Sequence, residues 1–116
     1  MTTDAMAVAD RNSASGTFEI AAGVDGRSHV RGALTFASAR RAREDGLRKF
    51  KECGARACEV DCSGINASDS AGLTVLLDWL ALAKRDGRSL RYVGLPPDLL
   101  AIARISGVEE LLQKGA

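Results

Sequence analysis

Apolar and polar residues alternate with a period of two in two short segments near the amino terminus of the sequence. The first segment runs from Phe18 to Val24, the second from Val30 to Leu34, and the dipeptide Asp25-Gly26 between them is typical of tight turns. A period of two places successive side chains on opposite faces of a β-strand. The pattern therefore predicts a β-hairpin.

The remainder of the sequence alternates between helical and strand-like patterns. The predicted elements, in chain order, are a helix over 35–51, a strand over 57–62, a helix over 70–86, a strand over 90–95, a helix from Pro96 to Gly107 and a closing helical turn over 108–112. Strands separated by helices require right-handed crossovers between parallel neighbours. We therefore expect an α/β fold, a compact sandwich in which a small mixed sheet starts with the hairpin, continues in parallel strands and is covered by helices.

The helix over 35–51 has one apolar stripe. The residues of this stripe are Phe36, Ala39, Leu47 and Phe50. Gly46 weakens the helix, because glycine has a low helix propensity. The opposite face is basic, which is usual for a solvated face, and on a membrane-bound complex it would lie near anionic lipid.

The helix over 70–86 has apolar residues on two nearly opposite faces. The stripe expected to face the sheet comprises Leu73, Leu76, Leu77, Leu80 and Ala83. The opposite stripe comprises Val75, Trp79 and Leu82, and it is covered either by another element of the domain or by a partner protein. Because tryptophan is enriched at interface hot spots, we expect a docking surface here.

Small polar residues fill the junction that precedes this helix. The junction reads Ile65-Asn66-Ala67-Ser68-Asp69-Ser70-Ala71-Gly72-Leu73. Such side chains cap free N–H groups, and a helix amino terminus favours a negative charge, including phosphate, by about 0.3 to 1 kcal/mol. The predicted loop over 63–69 also leaves the carboxyl end of a strand, where open α/β sheets bind ligands. The junction is therefore a docking point, a modification site or only a helix cap.

Length, composition and charge fit one small domain. With 116 residues, of which 46% are hydrophobic, the sequence suits a single core over 16–116. Residues 1–15 have neither a basic start nor an apolar run, so we expect a disordered tail rather than a signal peptide. The net charge of +1 argues against a dedicated nucleic-acid binder, and no segment approaches the ~20 apolar residues of a membrane span. Cys53, Cys58 and Cys62 are expected to be core thiols in a reducing compartment.

The residues that could carry chemistry give little support for catalysis. The only histidine, His29, lies far in sequence from Ser70, and the sequence has no Gly-x4-Gly-Lys-Ser/Thr loop to bind a nucleotide. Asp61 is expected to accept hydrogen bonds from loop amides, and Asp69 to cap the following helix. We therefore expect a protein that is not an enzyme and that holds no cofactor and no metal.

The run from Val60 to Leu73, followed by the leucine-rich helix, resembles the signature of STAS domains, a family of anti-sigma-factor antagonists and transporter-associated modules. Two further segments are similar to this family, namely Val30-Arg31-Gly32-Ala33-Leu34 and the tail from Leu100 to Leu112. The resemblance covers nearly everything after Gly16 and implies a STAS fold over 16–116.

The residue before Gly72 distinguishes two branches of this family. In sigma-factor antagonists of the family the kinase target is the hydroxyl residue immediately before the glycine. Here that position is Ala71, whose methyl group cannot accept phosphate, and Ser70 is the neighbouring hydroxyl left for phosphorylation. The pattern from Asp69 to Leu73 instead resembles MlaB, the small STAS subunit of the Mla phospholipid-transport ABC complex of Gram-negative bacteria.

This resemblance implies a non-catalytic subunit that binds the cytosolic ATPase of the transporter. Such a subunit is cytoplasmic and reaches the inner membrane only through its partner. The residues expected to contact the partner are Asp69, Ser70, Ala71, Gly72, Val75, Trp79 and Leu82. The alternative is an antagonist that binds an anti-sigma kinase and is regulated by phosphorylation of Ser70, and Ala71 favours the first interpretation.

Overall fold

The computed structural model describes residues 17–23, 26–53 and 57–115. The elements are β1 (Phe18–Ala22), β2 (Ser28–Leu34), α1 (Ala39–Cys53), β3 (Ala57–Ser68), α2 (Ser70–Arg85), β4 (Ser89–Val93), α3 (Pro97–Ile105) and α4 (Glu109–Lys114). Their order agrees with the predicted order. Among the helices of these ranges, none has the length and apolar character needed to cross a bilayer. The predicted tail over 1–15, Val24 and Asp25 of the predicted hairpin, and the side chain of Cys53 lie outside the described residues.

The four strands form one mixed sheet in the order β1-β2-β3-β4. β1 and β2 are antiparallel, with Ile20 opposite Val30, which confirms the predicted hairpin. β2 and β3 are parallel, as are β3 and β4, where Val60 lies opposite Tyr92. The sheet confirms the predicted α/β class.

β3 is longer than predicted, because its second half pairs with β2. The sequence pattern indicates a loop over 63–69, since glycine, asparagine and serine are poor strand formers. In the structure this segment continues the strand, and Ser68 lies opposite Leu34 at the end of β2. Pairing with an existing strand overrides a weak local preference. The carboxyl end of β3 therefore lies directly before the first turn of α2.

The helices that follow β2 and β3 lie on one face of the sheet. The strand order advances from β2 to β4 without reversal, so right-handed crossovers place α1 and α2 on the same side. Strand side chains that point to this side, such as Val60, Cys62 and Leu90, are buried. The opposite face carries charged pairs, which are Arg27 with Glu59, Arg31 with Glu19, and His29 with Asp61.

Trp79 of α2 lies in the core between α1 and the sheet. Its indole is fully buried, with its ring centroid 5.4 Å from that of Phe50 in a T-shaped arrangement and 6.3 Å from that of Phe18. Its Nε1 donates to the carbonyl oxygen of Arg43 at 3.4 Å. Gly46 of α1 faces the ring so closely that a Cβ there would lie 2.3 Å from Trp79 Cε2. The glycine that weakens α1 therefore makes room for the indole.

Two predictions about helix faces are wrong. Val75 and Trp79 do not face outward, because α1 packs over them and leaves 3% and 0% of their surfaces exposed. Leu82 of the same predicted stripe is only half-buried. Phe36 does not belong to the apolar stripe of α1, because the helix begins at Ala39 and Phe36 lies in the preceding turn, 83% exposed.

The two cysteines of β3 are core residues, as predicted. Cys58 and Cys62 are both buried on the helix-covered face of the sheet. Burial raises the pKa of the Cys62 thiol to about 12. A thiol with such a pKa stays protonated at neutral pH and is a poor nucleophile.

Candidate functional site

Asp69 connects the start of α2 to the turn that precedes α1. One carboxylate oxygen, Oδ1, accepts a hydrogen bond from the backbone N–H of Gly72 at 3.0 Å, which confirms the predicted helix cap. The other, Oδ2, accepts from the backbone N–H of Phe36 at 3.0 Å. One side chain therefore fixes two segments that are 33 residues apart in sequence.

The Asp69 carboxylate is held in its charged form. Burial alone would raise its pKa, but hydrogen bonds from the backbone N–H groups of Phe36, Gly72 and Ala71 outweigh burial and lower the pKa below its usual value. These backbone N–H donors stabilise the ionised carboxylate of Asp69 more than the neutral carboxylic acid. The link between the two segments is consequently intact at neutral pH.

The turn over 35–38 is held by a second polar side chain, Ser38. Its Oγ donates to the carbonyl oxygen of Ala33 at 2.7 Å and accepts from the backbone N–H of Thr35 at 3.1 Å. Ser38 is 5% exposed, so these hydrogen bonds are shielded from water. The backbone around Phe36 is thus fixed from both sides, by Ser38 and by Asp69.

The first turn of α2 presents Ser70 to solvent and packs Gly72 against β2. Ser70 is exposed, Ala71 is half-buried and Gly72 is buried. A Cβ at position 72 would lie 2.0 Å from the carbonyl oxygen of Leu34, so only glycine fits at this close approach of helix and strand. This contact, together with the Asp69 cap, sets the position of Ser70 rigidly.

A groove runs between α1 and the first half of α2, next to Ser70. The small residues Ala39 and Ala71 are among the residues that line it. Arg40 contributes from α1 and Thr74 from α2, and Thr74 Oγ1 donates to the carbonyl oxygen of Ser70 at 3.0 Å. The combination of small and polar side chains suits the groove to close contact with another protein.

The structure brings together four of the seven residues predicted to contact a partner. These are Asp69, Ser70, Ala71 and Gly72, all in the cap and first turn of α2. Val75 and Trp79 are core residues and cannot anchor a partner without unfolding of the α1–α2 contact. Leu82 lies twelve residues beyond Ser70 on α2, about 18 Å along the helix at ~1.5 Å per residue, and is not part of this site.

Phe36 is the functional candidate that the sequence reasoning missed. Its apolar character and its spacing from Ala39 are those of a helix core position, and no local signal places it outside the helix. The deciding contact is the hydrogen bond from its backbone N–H to Asp69, which is a long-range interaction. A Ser-x-x-Glu/Gln pattern at the start of α1 would have helped, but Ser38 is followed three residues later by Arg41.

His29 and Asp61 form a separate polar cluster on the face of the sheet opposite α1 and α2. His29 Nδ1 lies 3.6 Å from Asp61 Oδ2, and the backbone N–H of Ser63 donates to Asp61 Oδ1 at 2.9 Å, as predicted for Asp61. The Ser63 hydroxyl and N–H lower the pKa of Asp61, with smaller contributions from His29 and Arg27. Elsewhere in the described part of the chain, too, no group of three metal-binding side chains comes together.

The sequence matches a known family. A sequence model of the family described as MlaB, STAS domain, matches residues 20–113, which is most of the chain. The chain belongs to the MlaB STAS-domain family. Curated proteins give no match to the sequence.

A solved structure has a fold similar to that of this chain. The chain is similar to the anti-sigma factor antagonist SpoIIAA in its unphosphorylated form, with a TM-score of 0.56 and 12% identity over 77% of this chain and 83% of that chain. An identity this low shows a shared fold only. The predicted STAS fold is therefore confirmed.

Proposed function

We propose that this MlaB-family chain is a non-catalytic subunit that binds the cytosolic ATPase of a phospholipid-transport ABC complex and regulates or stabilises it. In this role the protein is cytoplasmic and reaches the inner membrane through its partner. The ATPase supplies the nucleotide chemistry, and the STAS subunit needs no cofactor or metal of its own.

The observation that carries this proposal is the rigid presentation of Ser70 beside Ala71. The Asp69 cap and the close packing of Gly72 on β2 fix the first turn of α2, and the exposed Ser70 hydroxyl stands at its tip. A preorganised surface loses little conformational entropy when a partner binds, so its contacts contribute more of their energy to affinity. Rigidity and exposure together support a docking role.

Ala71 supports a subunit of this kind over a phosphorylation switch. In the antagonists of the family the hydroxyl residue directly before the glycine receives the phosphate, and here that residue has a methyl group. A constitutive subunit of a transporter has no need for such an acceptor. The alanine also lines the groove between α1 and α2, where a small side chain allows close approach of a partner.

The test is binding to the ATPase subunit of the phospholipid transporter from the same genome. We expect a stable complex in size-exclusion chromatography of the two purified proteins and a dissociation constant measurable by calorimetry. Ser70→Lys should weaken binding at least about 30-fold, because a long charged side chain at the tip of the turn blocks close contact. Ser106→Lys, at the exposed carboxyl end of α3, is the matched control and should bind like the unmodified protein.

The exposed hydroxyl of Ser70 also favours one alternative, an antagonist that binds an anti-sigma kinase. Incubation with a serine kinase of the sigma-factor type distinguishes the two. We expect the intact mass to remain unchanged. A gain of one phosphate per chain, mapped to Ser70, together with no binding to the transporter ATPase, would establish the alternative.

A further inference from the structure

We propose that Phe36 and Arg40 form the specific anchor of the docking surface, and that the partner ATPase receives them in an apolar pocket bordered by a carboxylate. This inference rests on the proposed function for the identity of the partner. It adds the chemistry that the partner's surface must have, and it names the residues of this chain that contact that surface.

Phe36 contributes little to the fold. Its side chain is 83% exposed, and the turn that holds it is built by the hydrogen bonds of Ser38 and Asp69 to the backbone. A polar residue would satisfy the same backbone bonds, and a ring this exposed buries too little surface to add much to the free energy of folding. Aromatic residues are enriched at protein interfaces, and Phe36 lies on the turn that is hydrogen-bonded to Asp69, directly before Ser70.

The position of Phe36 is fixed relative to Ser70. Asp69 precedes Ser70 directly and accepts from the backbone N–H of Phe36, so the backbone of Phe36 and the first turn of α2 are held together. Side chains on a preordered backbone make better anchors than those on mobile loops. A partner that contacts Ser70 therefore meets the turn that carries Phe36 at a constant position.

The charge of Arg40, which follows Phe36 by four residues in sequence, bears on the chemistry of the partner. Arg43 pairs with Asp78 at 3.4 Å, and Arg41 pairs with Asp45 at 3.4 Å. Arg40, which lines the groove, has no ion pair with any residue in the ranges that the structure describes. Its charge is left for the partner, and a carboxylate is the group that guanidinium binds best among protein side chains.

Exposed apolar residues elsewhere provide a contrast. Ile105, at the end of α3, is 88% exposed, and Leu111 of α4 is 49% exposed. Neither lies in the Asp69–Ser70 unit. Ile105 therefore serves as a matched control, because its removal changes exposed apolar surface by a similar amount at a different place.

The experiment measures affinity for the purified transporter ATPase by calorimetry with single variants of the full chain. Phe36→Ser should weaken binding at least about 30-fold, and Arg40→Glu at least about 10-fold, in the range of interface hot spots. The controls Ile105→Ser and Lys51→Glu, the latter a charge reversal at the other end of α1, should remain within about twofold. All four positions are exposed, and circular dichroism melts should confirm that each variant folds.

A photoreactive phenylalanine analogue at position 36 identifies the receiving surface. We expect cross-linking to the ATPase, at a segment that combines apolar residues with an aspartate or glutamate. Cross-linking to a second copy of this chain, or Phe36→Ser binding with unchanged affinity while Ser70→Lys binds weakly, would overturn the anchor and leave the proposed function standing. If the unmodified chain does not bind the ATPase at all, the proposed function fails and this inference fails with it.

Discussion

Replacement of Gly46 by alanine tests how α1 and α2 fit together. In an ordinary exposed helix position this change stabilises the protein by about 1 kcal/mol, because glycine has the lower helix propensity. Here the sign should reverse. A Cβ at position 46 would lie 2.3 Å from Cε2 and 2.5 Å from both Cζ2 and Nε1 of Trp79, far inside van der Waals contact.

The indole has no free space into which it can move. It is fully buried, with Phe50 against one side and Phe18 on another, and its Nε1 is bonded to the backbone of Arg43. Relief of the collision therefore requires α1 to shift away from α2. Overpacking costs about 1 to 3 kcal/mol, and an approach of 2.3 Å belongs in the upper part of that range, about 2 to 3 kcal/mol. After the propensity gain of about 1 kcal/mol we therefore expect a net loss of about 1 to 2 kcal/mol.

Urea denaturation followed by circular dichroism measures this change in the free energy of unfolding. Glu44 of α1 is exposed, and the difference between Glu44→Ala and Glu44→Gly gives the propensity effect in this same helix without a collision. A second test uses a Trp79→Phe background, where the smaller ring should turn Gly46→Ala from destabilising to neutral or stabilising. A Gly46→Ala protein that gains about 1 kcal/mol in the unmodified background would refute the proposed packing.

Three further predictions follow from the cap and first turn of α2. Asp69→Ala should lower the free energy of unfolding by about 1 to 2 kcal/mol, since it removes a helix cap and the hydrogen bond to Phe36, whereas Asp69→Asn should lose less; urea denaturation compares them. The pKa values of Asp61 and Asp69 are lower in the folded state than the unfolded value of about 4, so both carboxylates stabilise the folded state at pH values above 4. This part of the free energy of unfolding should be lost as the pH falls through the lower pKa values of the folded state. Urea midpoints measured from pH 6 to pH 2.5 test this. Gly72→Ala should cost at least about 2 kcal/mol, because its Cβ would collide with the backbone of β2; a melting temperature equal to that of the unmodified protein would contradict this.

The order of the helices and strands could be predicted from the sequence, because the periodicity of hydrophobic residues and the positions of turn residues are local signals. The hairpin, the two long helices and the closing helices all follow from such signals. The second half of β3 was not accessible, because the residues after Cys62 have weak strand preference and are held in place by β2. Strand length there is a property of the pairing and not of the segment.

The two faces of α2 show why the candidate site was predicted only in part. Periodicity revealed that the helix is apolar on both sides, but it does not say whether a neighbouring helix or a partner covers the second side. The sequence of α1 does contain a relevant pattern. Ala42, Gly46 and Phe50 recur at four-residue intervals and so lie on one face of the helix, and the first two of them are small. Small residues at helical spacing opposite a tryptophan indicate close helix packing, so Gly46 identifies Trp79 as core.

The Asp69 cap was predicted because a small acidic residue before a helix is a local signal. Its second hydrogen bond, to Phe36, joins positions that only the folded chain brings together. Phe36 therefore appeared as a core residue in the sequence and is an exposed residue in the structure. An exposed position of this kind is found from solvent exposure and hydrogen bonding in the structure, which a hydrophobicity pattern does not contain.

The face of the sheet opposite α1 and α2 has a consequence for self-association. An apolar surface at this place would be a site for a second copy to stack. This face carries Arg27 with Glu59, Arg31 with Glu19, and His29 with Asp61, so stacking would remove water from several charged groups at once. Because the desolvation of paired charges can cost more than the attraction regained in a dry interface, these pairs disfavour the stacking of a second copy on this face.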